Sequence, residues 1–187
     1  PTRRSSDLNA GPFLFFAGDL SAQKGLLTLL AAYGRLPADR PPLVVVGRST
    51  PEVPARLPEG VQLHRGWPHE RIISAFQHCL AAVLPSEWPD PCPTTVLEAM
   101  ALGAPLVTTH QGGIADMVVA DESALVVRPG EVADLAAALT RITGDAGLRA
   151  RLRQQAREHV MRFVQSAVAD RFDAIYTSLL PRQVLHG

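Results

Sequence analysis

The chain is short of lysine. Among its 18 basic residues Lys24 alone is a lysine, and the others are arginines. Cysteine is scarce as well, and Cys79 and Cys92 form neither a C-x-x-C pair nor a disulfide framework. That excludes a small disulfide-stapled scaffold and fits a reducing compartment such as the cytosol. Net charge is absent too, since Lys+Arg 18 balances Asp+Glu 18. The balance excludes an acidic or basic disordered tail and removes the usual electrostatic argument for nucleic acid. Apolar runs such as 13–17 and 43–46 fall far short of the ~20 residues that span a bilayer. His64, His69, His78 and Cys79 lack metal-ligand spacing, so no metal is expected.

What is present suffices for one full core. The chain has 187 residues, 47% of them hydrophobic. At about 150 residues per domain this predicts a single domain, burying roughly 70% of the unfolded chain's surface. Short apolar, β-branched runs alternate with segments of helical period, the pattern of a parallel sheet covered on both faces. Strands are expected at 13–17, 43–46, 61–64, 81–84, 106–109 and 125–127, all buried on both faces. Helices are expected at 24–33, 70–78, 94–102, 113–119, 132–142, 147–163 and 166–180. The fold class is therefore α/β, a doubly wound Rossmann-like parallel sheet with helices on both faces. The pattern leaves the order of the strands open.

The chain opens Pro1-Thr2-Arg3-Arg4-Ser5-Ser6-Asp7-Leu8. A twin-Arg export signal needs an apolar core of about 7–15 residues and a cleavage site, which do not follow. The stretch reads instead as a translated sequencing adapter. Residues 1–8 are thus expected to be non-native, and 9–187 to form the domain with its C-terminal helices.

Open α/β sheets bind ligands at the carboxyl ends of their strands, so the segments just after each strand matter most. Gly18-Asp19-Leu20-Ser21-Ala22-Gln23-Lys24-Gly25 leads from strand to helix. A lysine at a helix start opposes the macrodipole unless an anion sits between it and the amides. The plain alternative is a solvated lysine. Gly47-Arg48 stands at the second strand's end. In Pro85 to Ala101, Asp90 precedes Glu98 by eight residues. Glu98, near the start of an otherwise apolar helix, is expected to point into the crevice, where a carboxylate can accept bonds from a vicinal diol. The alternatives are a helix-dipole partner for Glu98 and a turn residue for Asp90. His110-Gln111-Gly112-Gly113 could cradle phosphate or form a left-handed turn. Cys92 has no His–Asn or His–Asp frame that would make it a nucleophile. The arginines 149, 151, 153, 157 and 162 read as a solvated helical face, or as a surface for an anionic acceptor or lipid headgroups.

Gly18-x-Leu20…Lys24-Gly25, Val46-Gly47, Pro85-Ser86, Glu98-Ala99-Met100-Ala101-x-Gly103-x-Pro105 and Gly112-Gly113 occur in an order that resembles glycosyltransferase family 4. The likeness is to the carboxyl-terminal, donor-binding lobe of these two-lobed, GT-B enzymes, and it runs from Phe13 to Leu180. It implies that Lys24 binds the diphosphate of a nucleotide-sugar, Glu98 the ribose, and Asp90 the donor sugar at the reaction centre. Gly18, Gly47, Arg48, Cys92 and Thr94 complete the implied donor site, with Lys24 and Asp90 the catalytic pair and no metal or other cofactor. Asp90 is one methylene shorter than the family's glutamate. Asp19 stands where the family often has an arginine as second phosphate cation. Pro91 and Pro93 cannot donate, which leaves the Cys92 and Thr94 amides for the sugar.

The resemblance implies a retaining glycosyltransferase fragment whose acceptor-binding lobe lies outside this sequence, and which transfers little alone. A cytoplasmic enzyme, with peripheral contact at the inner membrane face, is the matching expectation. A non-catalytic nucleotide-sugar-binding lobe and a two-lobed nucleotide-sugar epimerase are the alternatives.

Overall fold

The computed structural model describes residues 11–179, and the adapter-like stretch 1–8 and Leu180 lie outside them. The strands are β1 (Leu14–Ala17), β2 (Leu43–Val46), β3 (Val61–His64), β4 (Ala81–Leu84), β5 (Leu106–Thr109) and β6 (Leu125–Val127). The helices are α1 (Leu26–Gly34), α2 (His69–His78), α3 (Thr94–Ala101), α4 (Ile114–Met117), α5 (Val132–Gly144), α6 (Ala146–Val160) and α7 (Gln165–Leu179). A 3-10 turn over Met161–Phe163 joins the last two.

All neighbouring strands pair in parallel, in the order β3-β2-β1-β4-β5-β6. Strand order reverses between β1 and β4, and a doubly wound sheet opens a crevice at such a point. The core lies on the two sheet faces. One layer gathers Leu26, Leu29 and Tyr33 of α1 with Leu135, Leu139 and Ile142 of α5. The other gathers Phe76 of α2, Val96, Ala99 and Met100 of α3, and Ile114 of α4. β3 departs from the expected burial: as an edge strand it leaves Gln62 exposed and the rest half-buried.

Three helices differ from the periodicity: α1, α4, and α6, which ends at Val160 and leaves 161–163 of its expected span as the 3-10 turn. The segment 22–25 is a turn, and α1 starts only at Leu26 because Gly25 adopts φ 75°. A side chain there would stand 2.0 Å from the Pro85 carbonyl oxygen. The helix expected at 113–119 is the single turn α4, after which Val118 is extended and the Val119 amide bonds Ser123 Oγ at 2.9 Å.

The basic helix α6 is not simply a solvated face. Arg149 Nη1 donates to the Ile142 and Thr143 carbonyls at 2.7 and 2.9 Å, capping α5. Arg153 Nε donates to the Gly103 carbonyl at 2.8 Å and Arg157 Nη2 to that of Leu102 at 3.4 Å, just past α3. Cations at helix carboxyl ends complement both the orphan carbonyls and the dipole.

Candidate functional site

A cavity of about 300 Å³ opens at the ends of β1 and β4. Its wall carries Gly18, Asp19 and Lys24 from the first loop and Ser86, Asp90, Cys92, Thr94 and Thr95 from the fourth. Four of the expected site residues therefore meet Lys24 here: Gly18, Asp90, Cys92 and Thr94.

The loops that carry them are tied together by backbone. The Glu87 and Trp88 amides donate to the Gln23 carbonyl at 2.9 and 3.1 Å, which joins the Asp90 loop to the Lys24 turn. Glu87 Oε1 accepts from Thr28 Oγ1 at 2.6 Å, fastening the same loop to α1. Thr109 Oγ1 donates to the Ser86 carbonyl at 2.6 Å from β5. Gly112 and Gly113 make the remaining contact. A Cβ on Gly113 would stand 1.9 Å from the Pro91 carbonyl oxygen, and its amide donates to the Asp90 carbonyl at 2.7 Å. The glycine pair thus takes the turn reading: it admits the Asp90 loop, with the Gly113 amide bound to protein.

Charges in the cavity come in pairs. Lys24 Nζ donates to Asp90 Oδ2, with the aspartate side chain largely buried and the lysine one-third exposed. Arg48 Nη2 donates to Asp19 Oδ2 at 2.8 Å. Asp19 is therefore neutralised, a pairing that no spacing in the sequence signals, because the partners sit on different loops.

The remaining expected residues stand elsewhere. Cys92 lines the cavity, but its amide donates to Asp90 Oδ1 at 3.3 Å, so it closes the Asp90 turn. Gly47 packs against the first loop, where a Cβ would stand 1.7 Å from the Gly18 carbonyl oxygen. Glu98 is half-buried one turn beyond Thr94 and Thr95 on α3. It lines a neighbouring groove with Leu97, Arg157 and Phe163, and not the cavity holding Lys24 and Asp90. The packing of Ala99 and Met100 into the core sets that helix rotation. Ser86 and Thr95, on the cavity wall, were missed as site residues. Their positions just after a strand and in the first turn of a helix were the available signal.

The family model described as "Glycosyl transferases group 1" matches residues 2–159. The chain belongs to that family. This group 1 glycosyltransferase chain is 30% identical over 158 residues to a glycogen synthase of Mycobacterium tuberculosis, covering 79% of this chain and 37% of that protein. Its fold is similar to that of HepE from Anabaena, solved in complex with UDP-glucose, with TM-score 0.78 and 20% identity over 92% of this chain and 50% of that one. It is also similar to the C-terminal domain of the group 1 protein LpcC from Francisella tularensis, with TM-score 0.70 and 20% identity over 86% of this chain and 93% of that one. The chain thus spans well under half of the curated glycogen synthase. Its fold is one lobe of the GT-B architecture. Among the described residues no helix is long and apolar enough to cross a membrane.

Proposed function

We propose that this lobe binds the nucleotide-sugar donor of a retaining glycosyltransferase, and that a second lobe outside this sequence holds the acceptor. The observation that carries the reading is Lys24 on the wall of the cavity at the β1/β4 reversal, beside the first turn of α3. A compact ammonium and the amides of a helix start together form an anion site. Departing diphosphate would place its charge there, which is electrostatic stabilisation of the leaving group. Asp90 faces the same space, on the side where the donor sugar would lie. Gly18, Gly47, Arg48, Cys92 and Thr94 shape or flank this donor site. Glu98 would accept from the ribose hydroxyls, with the ribose reaching from the cavity along the Thr94–Thr95 face of α3.

A UDP-sugar is a complex formed by the Anabaena protein of this fold. For this chain the donor class is a nucleoside-diphosphate sugar, and no metal or other cofactor is called for. The second lobe is supported by α7, which exposes Phe172, Ile175, Tyr176 and Leu179. At that spacing they share one helix face, an apolar stripe suited to burial against another body. The alternative of a lobe without transfer chemistry loses one argument, because Asp19 is paired with Arg48.

Calorimetric titration of UDP, GDP and ADP into the 187-residue chain tests the reading. One of the three is expected to bind weakly, with little transfer activity. Lys24→Ala should weaken that binding about tenfold, the scale of a lost charge-assisted hydrogen bond. Equal heats for the wild type and Glu98→Ala would reject the ribose assignment.

A further inference from the structure

We propose that Asp19 is a positioning residue that holds the Arg48 guanidinium beside the cavity as a second cation for the diphosphate. The proposal rests on the donor-site reading above and goes beyond it, since it assigns a role to an acidic residue that by charge alone opposes that ligand.

The two loops form a rigid frame. Past the ends of β1 and β2 they continue side by side, with the Leu20 amide donating to the Arg48 carbonyl at 2.9 Å. Thr50 Oγ1 donates to the Leu20 carbonyl at 2.6 Å, and Leu20 pairs with Ser49 in a parallel bridge. Gly47 permits the approach, because any Cβ there would meet the Gly18 carbonyl. Leu20 is fully buried and anchors the first loop in the core. Asp19, held between Gly18 and Leu20, is thereby fixed on the cavity wall.

Arg48 meets Asp19 at 2.8 Å, while its own side chain remains 80% exposed. A guanidinium carries five N–H donors, so one carboxylate leaves donors for a second anion. An unpaired Asp19 would repel a diphosphate, whereas the pair adds no net charge to the wall and keeps a cation next to it. Lys24 is likewise paired with an aspartate, Asp90. Each cation beside this cavity thus has its own carboxylate, and both carboxylates line the wall.

The test is a double-mutant cycle on the 187-residue chain, titrating the nucleoside diphosphate that the wild type binds best and its matching nucleoside. Arg48→Ala should weaken diphosphate binding about tenfold and Asp19→Ala about threefold, with unchanged melting temperatures. Asp19→Glu should keep most of the affinity. In the Arg48→Ala background, where Asp19 stands unpaired, Asp19→Ala should recover part of the lost affinity. Nucleoside binding should not move in any variant, a readout that a merely structural role would disturb. Tighter diphosphate binding by Asp19→Ala alone would overturn the proposal, because it would mean that the carboxylate only repels. So would an unaffected Arg48→Ala when Lys24→Ala still weakens binding, and that outcome leaves the donor site standing. If Lys24→Ala has no effect either, the donor-site reading fails and this proposal with it.

Discussion

Lys24 and Asp90, 66 residues apart in the chain, join their side chains across the cavity at the sheet's reversal point. The pair makes Asp90 a competitor for the cation that a diphosphate would use. Asp90→Asn should therefore tighten binding of a nucleoside diphosphate several-fold, since it removes the charge that occupies Lys24. In an enzyme with both lobes the same variant should lose transfer, because the proposed function assigns Asp90 to the donor sugar. Calorimetry on the chain and product assay on the two-lobed enzyme separate the two effects. Unchanged or weaker diphosphate affinity in Asp90→Asn would show that the ion pair does not compete with ligand.

Gly25 carries two constraints at once. Its φ of 75° is strained for any other residue, and a methyl group there would press on the Pro85 carbonyl at 2.0 Å. Gly25→Ala should cost about 2–5 kcal/mol, summing left-handed strain and overpacking. For a domain of this size that lowers the melting temperature by roughly 4–20 °C. Gly144 has open space around it, so Gly144→Ala is the control and should change little.

The sheet was legible because its strands are short β-branched runs between turn residues. Five of the six match their expected bounds, and the first starts at Leu14, one residue after Phe13. Strand order was not legible, since it depends on pairing between distant segments that periodicity does not encode. The site was half legible. Lys24, Asp90, Gly18 and Thr94 follow strand ends, and topology brings those ends together. Glu98 turned toward another groove because the core packing of Ala99 and Met100 fixes α3's rotation. The Asp19–Arg48 pair was invisible because its partners lie 29 residues apart on separate loops.

The arginines of α6 differ in what they contact. Arg153 caps the chain just past α3 through the Gly103 carbonyl, while Arg151 is exposed and makes no such bond among the described residues. Arg153→Ala should destabilise the chain by about 1 kcal/mol, the scale of a lost capping bond. Arg151→Ala should stay within about 0.5 kcal/mol of the wild type. Urea denaturation of both variants measures the difference. Equal small effects would return the whole face to solvent.

Cys79 gives the fold a dependence on alkaline pH. It is buried just past the end of α2, where the Phe76 carbonyl accepts its thiol at 3.4 Å. Burial pushes the thiol from its ordinary 9.0 up to about 12, against the opposing pull of the Arg153 charge. The unfolded chain ionises this thiol near the ordinary value and the folded chain does not. Its stabilising contribution is therefore complete below pH 9 and is lost as pH rises toward 12. Between pH 8 and about 10.5 the wild type should lose about 2 kcal/mol more stability than Cys79→Ala, by chemical denaturation at each pH. A thiol reagent at pH 8 should modify one cysteine quickly, the exposed Cys92, and the second only on unfolding. Parallel pH profiles for the wild type and Cys79→Ala would mean that Cys79 ionises equally in both states, and the buried thiol would then have no part in alkaline unfolding.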